Sequence, residues 1–181
     1  MATLSYVETW ITGPLSTSFY TRLYTPPSAP PRGAIVFVHG YIEHIGRYEQ
    51  VHGDWAARGF AVFAYDQRGF GRTALDAEKS VASVYGQTGG TPERMMDVEW
   101  AVKYASRKFE GVPLFLMGHS MVCPVHLLHG SGAEIWIASG LSTQGRRHYS
   151  GLRNSYRSST RQGNRIASVW HNRFEPICTH L

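Results

Sequence analysis

The chain has 181 residues, of which 43% are hydrophobic and 17% charged, and these values fit one globular domain and exclude a low-hydrophobicity disordered chain. No stretch approaches the roughly 18 to 20 apolar residues of a membrane span, and residues 1–5 lack the pattern of a secretory signal. The two cysteines, Cys123 and Cys178, do not make a disulfide framework. We therefore expect a reducing, cytoplasmic setting.

The net charge of +5 is unevenly distributed along the chain. Residues 1–122 carry eleven basic and eleven acidic side chains, whereas residues 123–181 carry seven arginines and two glutamates. These arginines are scattered and match no nucleic-acid-binding signature, so we expect no nucleic-acid partner. The break in composition predicts a folded portion at 1–122 and an atypical, poorly ordered basic tail at 123–181.

The first predicted elements are a hairpin and a buried strand. Apolar residues alternate with polar ones over residues 7–24, around a turn at Gly13-Pro14. A proline-rich connector follows, and then residues 34–38 form a continuously apolar run that is typical of a strand buried in a parallel sheet. This run ends at His39-Gly40.

Two helices and two further buried strands are predicted after it. A helix begins near Tyr48 and is closed by Gly59, and an apolar strand at 60–65 follows. Thr91 as N-cap and Pro92 at the first helical position predict a second helix. That helix leads to a third apolar strand, which ends at Gly118. In the tail, residues 125–128 are compatible with one helical turn and residues 135–137 with a short strand.

The third strand leads into a candidate nucleophile. Gly118-His119-Ser120 follows the apolar run as the first half of the strand-to-helix turn written G-x-S-x-G, which presents a serine hydroxyl at the end of a strand. Val122 stands where the second glycine belongs, and we expect its side chain to crowd the turn at a cost of about 1 to 3 kcal/mol. The alternative is an ordinary turn serine or helix cap.

Three stretches of sequence carry a resemblance to a known family. FVHGYIEHIGRYEQV, YDQRGFGRT and PLFLMGHSM resemble the monoglyceride lipase and serine-aminopeptidase-like branch of the α/β-hydrolases, especially its fungal members. The resemblance covers about residues 5–121. It implies the N-terminal part of a doubly wound, mostly parallel α/β-hydrolase sheet with an antiparallel hairpin at its start.

The resemblance also implies a site. Ser120 is the implied nucleophile, and the backbone amides of Tyr41 and Met121 are the implied oxyanion hole. His39, Gly40, Gly118 and His119 support them, with His39 bracing its loop by hydrogen bonds rather than acting as the general base. The implied substrate is a monoacylglycerol or related carboxylic ester, with no cofactor and no metal. Such a substrate allows weak peripheral contact with membranes or lipid droplets.

After Met121 the sequence departs from the family pattern. No aspartate follows Asp97, and only 61 residues follow Ser120, so the catalytic acid and base of the family are not identified. We interpret the tail as the product of another reading frame, or as a spliced end, joined to the chain at the turn that contains Ser120. The expectation is a feeble esterase, and the alternative is a catalytically inactive hydrolase-fold protein. The glutamates and histidines that could stand in for the catalytic acid and base all lie in the tail: Glu134, Glu175, His126, His129, His148, His171 and His180.

A nucleotide-binding interpretation rests on one glycine motif. Residues 69–74 fit G-x-G-x-x-A, and Glu93 lies about twenty residues further on. Gln67 and Arg68 separate the motif from the strand, and Glu93 falls inside a predicted helix start rather than at a strand end. The sequence therefore argues against a dinucleotide site.

Overall fold

The computed structural model describes residues 6–120 and the backbone of residues 135–140. All of them belong to one compact unit, Met1–Thr143. The described strands are β1 (Tyr6–Thr12), β2 (Ser18–Tyr24), β3 (Gly33–Val38), β4 (Phe60–Tyr65), β5 (Leu114–His119) and β6 (Ile135–Gly140). The described helices are α1 (Glu49–Ala57), α2 (Gly71–Leu75) and α3 (Thr91–Lys108). Short 3-10 turns lie at Pro14–Ser16 and Ile45–Tyr48.

The strands form one mixed sheet in the order β1-β2-β4-β3-β5-β6. The antiparallel hairpin β1–β2 joins β4 in antiparallel fashion, and β4, β3, β5 and β6 run parallel to one another. The alternating residues of the hairpin pair in register: Val7 with Leu23, Thr9 with Thr21 and Ile11 with Phe19. This topology confirms the predicted α/β class and its antiparallel start.

Helices cover both faces of the sheet, because successive residues of a strand point to opposite sides. Val36 and Val38 belong to the core cluster that α3 covers through Val102. Phe37 lies between them in sequence and contacts the ring of Trp55 in α1 at a centroid distance of 6.0 Å. The sheet is therefore doubly wound. The predicted core side chains are all buried: Val36, Val38, Val62, Phe63, Leu114 and Leu116.

The boundaries of the helices differ slightly from the sequence prediction. Gly90, not Thr91, is the N-cap of α3, since the Gly90 carbonyl accepts the first helical hydrogen bond, from the Arg94 amide at 3.2 Å. Thr91 is instead the first helical residue. Gly59 follows α1 with φ of +94°, in the left-handed region that closes many helices.

A buried ion pair fixes the loop that follows β4. The Arg68 guanidinium donates to both carboxylate oxygens of Asp97 in α3, at 3.1 and 2.8 Å. The same guanidinium donates to the Pro14 carbonyl at 3.1 Å and to the Thr17 hydroxyl in the β1–β2 connection. One side chain therefore links three segments around the edge of the sheet.

The predicted boundary at residue 122 stays a prediction. Within the basic tail the structure describes only β6, which contains the short strand predicted at 135–137 and pairs with β5. The remaining tail residues lie outside the described part of the chain. None of the described helices combines the length and the apolar character that crossing a membrane requires.

Candidate active site

The carboxyl ends of three parallel strands meet at one edge of the sheet. Val38 at the end of β3 pairs with Tyr65 of β4 on one side and with Gly118 of β5 on the other. The loops that follow these strands therefore leave the sheet side by side. In open α/β sheets, ligands bind at this edge.

Ser120 lies directly after β5, with its side chain exposed and φ of 57°. Positive φ is uncommon for a residue other than glycine, and such conformations cost on the order of 1 to 3 kcal/mol and cluster at functional sites. A sharp, strained turn of this kind presents the serine in a nucleophile elbow. Gly118 and His119 are the last two residues of β5. Met121 and Val122 lie outside the described residues. The oxyanion-hole amide of Met121 and the crowding of the turn by the Val122 side chain therefore stay predictions.

His39 connects the loop after β3 to the loop after β4. It is completely buried, and its Nε2 accepts a hydrogen bond from the Gln67 amide at 2.9 Å. Its Nδ1 lies 2.8 Å from the Gly40 carbonyl, so Nδ1 carries the ring hydrogen. Burial lowers the pKa of His39 to about 4, although the Gly40 carbonyl acts in the opposite direction. The ring is therefore neutral at pH 7, with both nitrogens engaged.

The loop that follows His39 carries an amide without a partner among the described residues. No group in residues 6–120 accepts a hydrogen bond from the Tyr41 N–H. The Tyr41 side chain is 56% exposed, and its ring packs edge-on against Phe70 at 5.4 Å. Ile42 is 61% exposed and has φ of 56°, an outlier for a β-branched residue. The role of this amide as an oxyanion-hole donor, which the resemblance implies, stays a prediction.

A carboxylate, a phenol and an imidazole meet between this loop and Ser120. Glu43 Oε2 accepts hydrogen bonds from the Gly40 amide at 2.9 Å and from the Tyr48 hydroxyl. His119 Nδ1 lies 3.2 Å from the same oxygen and 3.0 Å from the Tyr48 hydroxyl. Burial raises the pKa of Glu43, but the hydrogen bonds from Tyr48, Gly40 and His119 outweigh it and hold the pKa below its ordinary value. Glu43 is therefore an ionised carboxylate at neutral pH.

The glycine motif at 69–74 is filled by the protein's own carboxylate. Asp66 Oδ2 accepts a hydrogen bond from the Arg72 amide at 2.7 Å, and Oδ1 accepts one from the Ile45 amide at 2.7 Å. A Cβ at Gly71 would lie 2.1 Å from Asp66 Oδ2. Asp66 thus occupies the space that a phosphate needs in a dinucleotide loop, and Glu93 lies inside α3. Residues 69–74 thus form the end of the loop after β4 and most of the short helix α2.

Comparison with known proteins identifies the family. Residues 29–132, more than half of the chain, match the hydrolase family described as serine aminopeptidase, S33. The chain belongs to the S33 serine aminopeptidase family. The resemblance seen in its sequence is thereby confirmed, and the match extends beyond Met121.

Relatives of this S33 chain include named lipases. The monoacylglycerol lipase of Mycolicibacterium smegmatis is 36% identical over 95 residues, which cover 52% of this chain and 31% of that protein. The monoglyceride lipase of Homo sapiens is 33% identical over 98 residues, which cover 54% of this chain and 30% of that protein. The chain spans about a third of the length of the curated relatives it matches.

Solved structures share the fold of the S33 chain. A thermostable carboxyl esterase from Bacillus coagulans, solved in complex with glycerol, has a TM-score of 0.55 at 29% identity. The match covers 66% of this chain and 37% of that one. A soluble variant of monoglyceride lipase from Saccharomyces cerevisiae, in complex with a substrate analog, has a TM-score of 0.54 at 24% identity. It likewise covers 66% of this chain and 37% of that one, and it shows the fold alone. These neighbours confirm the predicted α/β-hydrolase sheet.

The structure brings some predicted residues of the S33 chain together and leaves others undescribed. His39, Gly40, Tyr41, His119 and Ser120 lie at one edge of the sheet. Within residues 6–120 no side chain hydrogen-bonds to Ser120, and no group of three potential metal ligands converges. The tail residues considered as acid or base all lie outside the described residues: Glu134, Glu175, His126, His129, His148, His171 and His180.

Two residues that contact His119 were not predicted from the sequence. Glu43 and Tyr48 both lie inside the stretch FVHGYIEHIGRYEQV that carries the resemblance, five residues apart. Their contact with His119 joins positions more than seventy residues apart in the chain. The available signal was the presence of a carboxylate and a phenol in the loop after a buried strand, next to the predicted oxyanion donor.

Proposed function

We propose that this chain carries the nucleophile and the oxyanion hole of a carboxylic ester hydrolase of the monoacylglycerol lipase type. The observation that carries the proposal is the exposed Ser120, held at φ of 57° at the carboxyl end of β5. The Tyr41 amide in the loop after β3, which has no partner within residues 6–120, supports it. Membership of a serine hydrolase family and the names of the lipase relatives support this reaction class.

The reaction is acyl transfer through serine. Ser120 Oγ attacks the ester carbonyl, and the carbonyl oxygen becomes negatively charged in the tetrahedral intermediate. The Tyr41 and Met121 amides donate hydrogen bonds to that oxygen, and His39 keeps the Tyr41 loop in place through Gln67. Collapse of the intermediate releases the alcohol and leaves an acyl-serine, which water hydrolyses.

The proposed substrate is a monoacylglycerol or a related carboxylic ester. The large side chains of Tyr41 and Ile42 are exposed in the loop after β3 and suit an acyl chain. The same exposed pair supports weak peripheral contact of a cytoplasmic protein with a lipid surface, which co-sedimentation with phosphatidylcholine vesicles tests. Loss of sedimentation in an Ile42→Asp variant is the expected result, and no sedimentation of the wild-type chain contradicts the contact.

A second candidate function is a non-catalytic hydrolase-fold protein. The observation that favours it is the absence, within residues 6–120, of any hydrogen bond between Ser120 and a side chain that could take its proton. The residue before Ser120 is a histidine, but the Nδ1 of His119 contacts Glu43 and Tyr48. A serine hydroxyl without a base is a weak nucleophile, and loss of a triad base or its acid costs about 10⁴-fold or more in turnover.

The experiment is fluorophosphonate labelling of the full chain, read by mass spectrometry, with Ser120→Ala as the control. We expect one adduct, located on Ser120 and absent from the control, because labelling requires an activated serine. Turnover of p-nitrophenyl butyrate is expected to lie below the usual enzyme range of roughly 1 to 10³ s⁻¹. A chain that takes no label, or takes label elsewhere, is the non-catalytic protein.

A further inference from the structure

The carboxylate of Glu43 has no role in the acyl-transfer steps, yet it lies between the two halves of the proposed site. Only 11% of its side chain is exposed. Its Oε2 receives the Gly40 amide, the Tyr48 hydroxyl and the His119 imidazole, while Oε1 lies 2.9 Å from the Arg47 guanidinium. Four groups from three segments therefore meet at one carboxylate.

We propose that Glu43 is a positioning residue, which couples the loop that carries the Tyr41 amide to the turn that carries Ser120. The inference rests on the proposed function, because the amide and the hydroxyl need a fixed relation only if both act on one acyl group. Displacement of reacting groups by about 1 Å can cost about 10²-fold in rate. A residue that fixes this relation acts through the groups it holds and does not itself touch the substrate.

On the side of the loop, Glu43 closes a strained turn. Its carboxylate reaches back to the Gly40 amide, so the chain from 40 to 43 is closed by a side-chain hydrogen bond. Within this turn Ile42 holds φ of 56°, a conformation that persists only where the surroundings fix it. A Cβ at Gly40 would lie 2.7 Å from Glu43 Oε2 and 2.9 Å from His119 Nδ1. The glycine thus allows the carboxylate and the imidazole to approach the backbone.

On the side of the elbow, Glu43 orients the residue before the nucleophile. The Tyr48 hydroxyl donates its hydrogen to Glu43, so His119 Nδ1 must carry the hydrogen that it shares with the phenol and carboxylate oxygens. The Tyr48 ring packs on Phe37 of β3 at 4.5 Å, which anchors the phenol to the sheet. Two groups therefore hold the imidazole through its Nδ1, and Ser120 is the next residue in the chain.

The first test compares Glu43→Gln with Glu99→Gln in the full chain. Glu99 pairs with Lys103 on the exposed surface of α3, so its variant is the matched control. The rate of Ser120 labelling is measured at increasing fluorophosphonate concentration to separate the inactivation rate constant from the apparent binding constant. We expect Glu43→Gln to lower the rate constant roughly tenfold with little change in binding, since geometry and not contact is lost. An unchanged rate constant, or a change in binding alone, overturns the proposal.

The second test needs no reactivity. Backbone amide spectra and long-range ¹⁵N spectra of the histidine rings are recorded for the wild type, for both glutamate variants and for Tyr48→Phe. Loss of the carboxylate should move the Gly40 amide and the His119 ring signals together, and Tyr48→Phe should move the same signals less. Glu99→Gln should move neither. A shift of the Gly40 amide signal without a shift of the His119 ring signals, or the reverse, overturns the coupling.

The two tests separate this inference from the proposed function. A wild-type chain that takes no label contradicts the proposal that Ser120 is an active nucleophile. In that case the spectra alone decide whether Glu43 couples the loop to the turn. Joint movement of the Gly40 and His119 signals then supports the coupling, and independent movement contradicts it.

Discussion

Two residues without the conformational freedom of glycine hold positive φ at the same edge of the sheet. Ser120 has φ of 57° and Ile42 has φ of 56°. For an L-residue the left-handed region costs on the order of 1 to 2 kcal/mol, and β-branched side chains rarely adopt it. The strain at Ser120 accompanies the exposure of its hydroxyl. The strain at Ile42 lies one residue after the Tyr41 amide, which has no partner within residues 6–120.

The strain at Ile42 predicts a stabilising substitution. Asparagine enters the left-handed region more readily than isoleucine, and Ile42 is 61% exposed, so little burial is lost. We expect Ile42→Asn to raise the free energy of unfolding by about 0.5 to 1 kcal/mol, measured by urea unfolding. Ile42→Val keeps the β-branch and is the control. An asparagine variant no more stable than the valine variant would show that Ile42 carries no strain.

The sequence predicted the conformation of a single residue only where a known motif requires that conformation. Gly118-His119-Ser120 after an apolar run indicated a sharp turn at Ser120, and the structure has positive φ there. Nothing in the isoleucine at 42 suggests the left-handed region. Its conformation depends on the carboxylate that closes the turn, and one sequence does not reveal which donors a glutamate reaches.

Helix α1 packs a histidine against the sheet among aromatic rings. His52 is completely buried, and neither ring nitrogen has a hydrogen-bond partner within residues 6–120. Burial, and then the charge of Arg22, lower the pKa of His52 to about 3. The surrounding rings are those of Tyr24, Phe37, Tyr48 and Trp55, at centroid distances of 5.3, 4.7, 5.9 and 5.7 Å. The contact between α1 and β3 therefore depends on a neutral imidazole.

This packing predicts loss of stability in acid. The unfolded chain protonates His52 near pH 6.5, whereas the folded chain does so only near pH 3, so the unfolded state binds more protons between these values. The contribution of His52 to the free energy of unfolding is complete above pH 6.5 and falls as the pH drops toward 3. We expect His52 to account for about 2 kcal/mol of the loss between pH 7.5 and 5, measured by urea unfolding.

The variant for this prediction is His52→Leu, which has a similar volume and does not titrate. Its packing cost appears at pH 7.5, and only the change from pH 7.5 to 5 is compared with the wild type. That change should be smaller by about 2 kcal/mol in the variant. Equal changes in the two proteins would mean that His52 is protonated in the folded state.

The strands and helices themselves followed from local patterns. Three continuous apolar runs predicted β3, β4 and β5, because a strand covered by helices on both faces has no polar side. The short helix α2 was missed, since its five residues, Gly71–Leu75, are too few for an apolar stripe. Its position is set by the contact of Asp66 with the Arg72 amide, which no periodicity encodes.

Across the whole molecule, one guanidinium joins parts of the chain that are far apart in sequence. Arg68 bonds to Asp97 in α3, to Pro14 and Thr17 in the hairpin connection, and to the Ala82 carbonyl at 3.3 Å. The ion pair is buried on both sides, with 8% and 5% of the side chains exposed. Charges this deep are stable only with their partners present.

This pair predicts an asymmetric response to mutation. Asp97→Ala leaves the Arg68 charge buried without its carboxylate, so we expect a loss of about 3 kcal/mol in the free energy of unfolding. The double variant Arg68→Met/Asp97→Leu removes both charges and should recover most of that loss. Urea unfolding of the three proteins measures both effects. A single variant that costs less than about 1 kcal/mol would indicate that water reaches Arg68.

The central position of β3 has a consequence for the nascent chain. Its neighbours β4 and β5 flank it in the sheet, but the β5 partner residues lie about eighty residues later in the sequence. The hairpin β1–β2 can form as soon as it leaves the ribosome. One edge of β3, in contrast, has no partner strand until β5 has been synthesised. During that interval an apolar strand edge is open to other chains, and such edges promote aggregation. The sheet order that assembles the site at one edge therefore leaves β3 with an unpaired edge until late in synthesis.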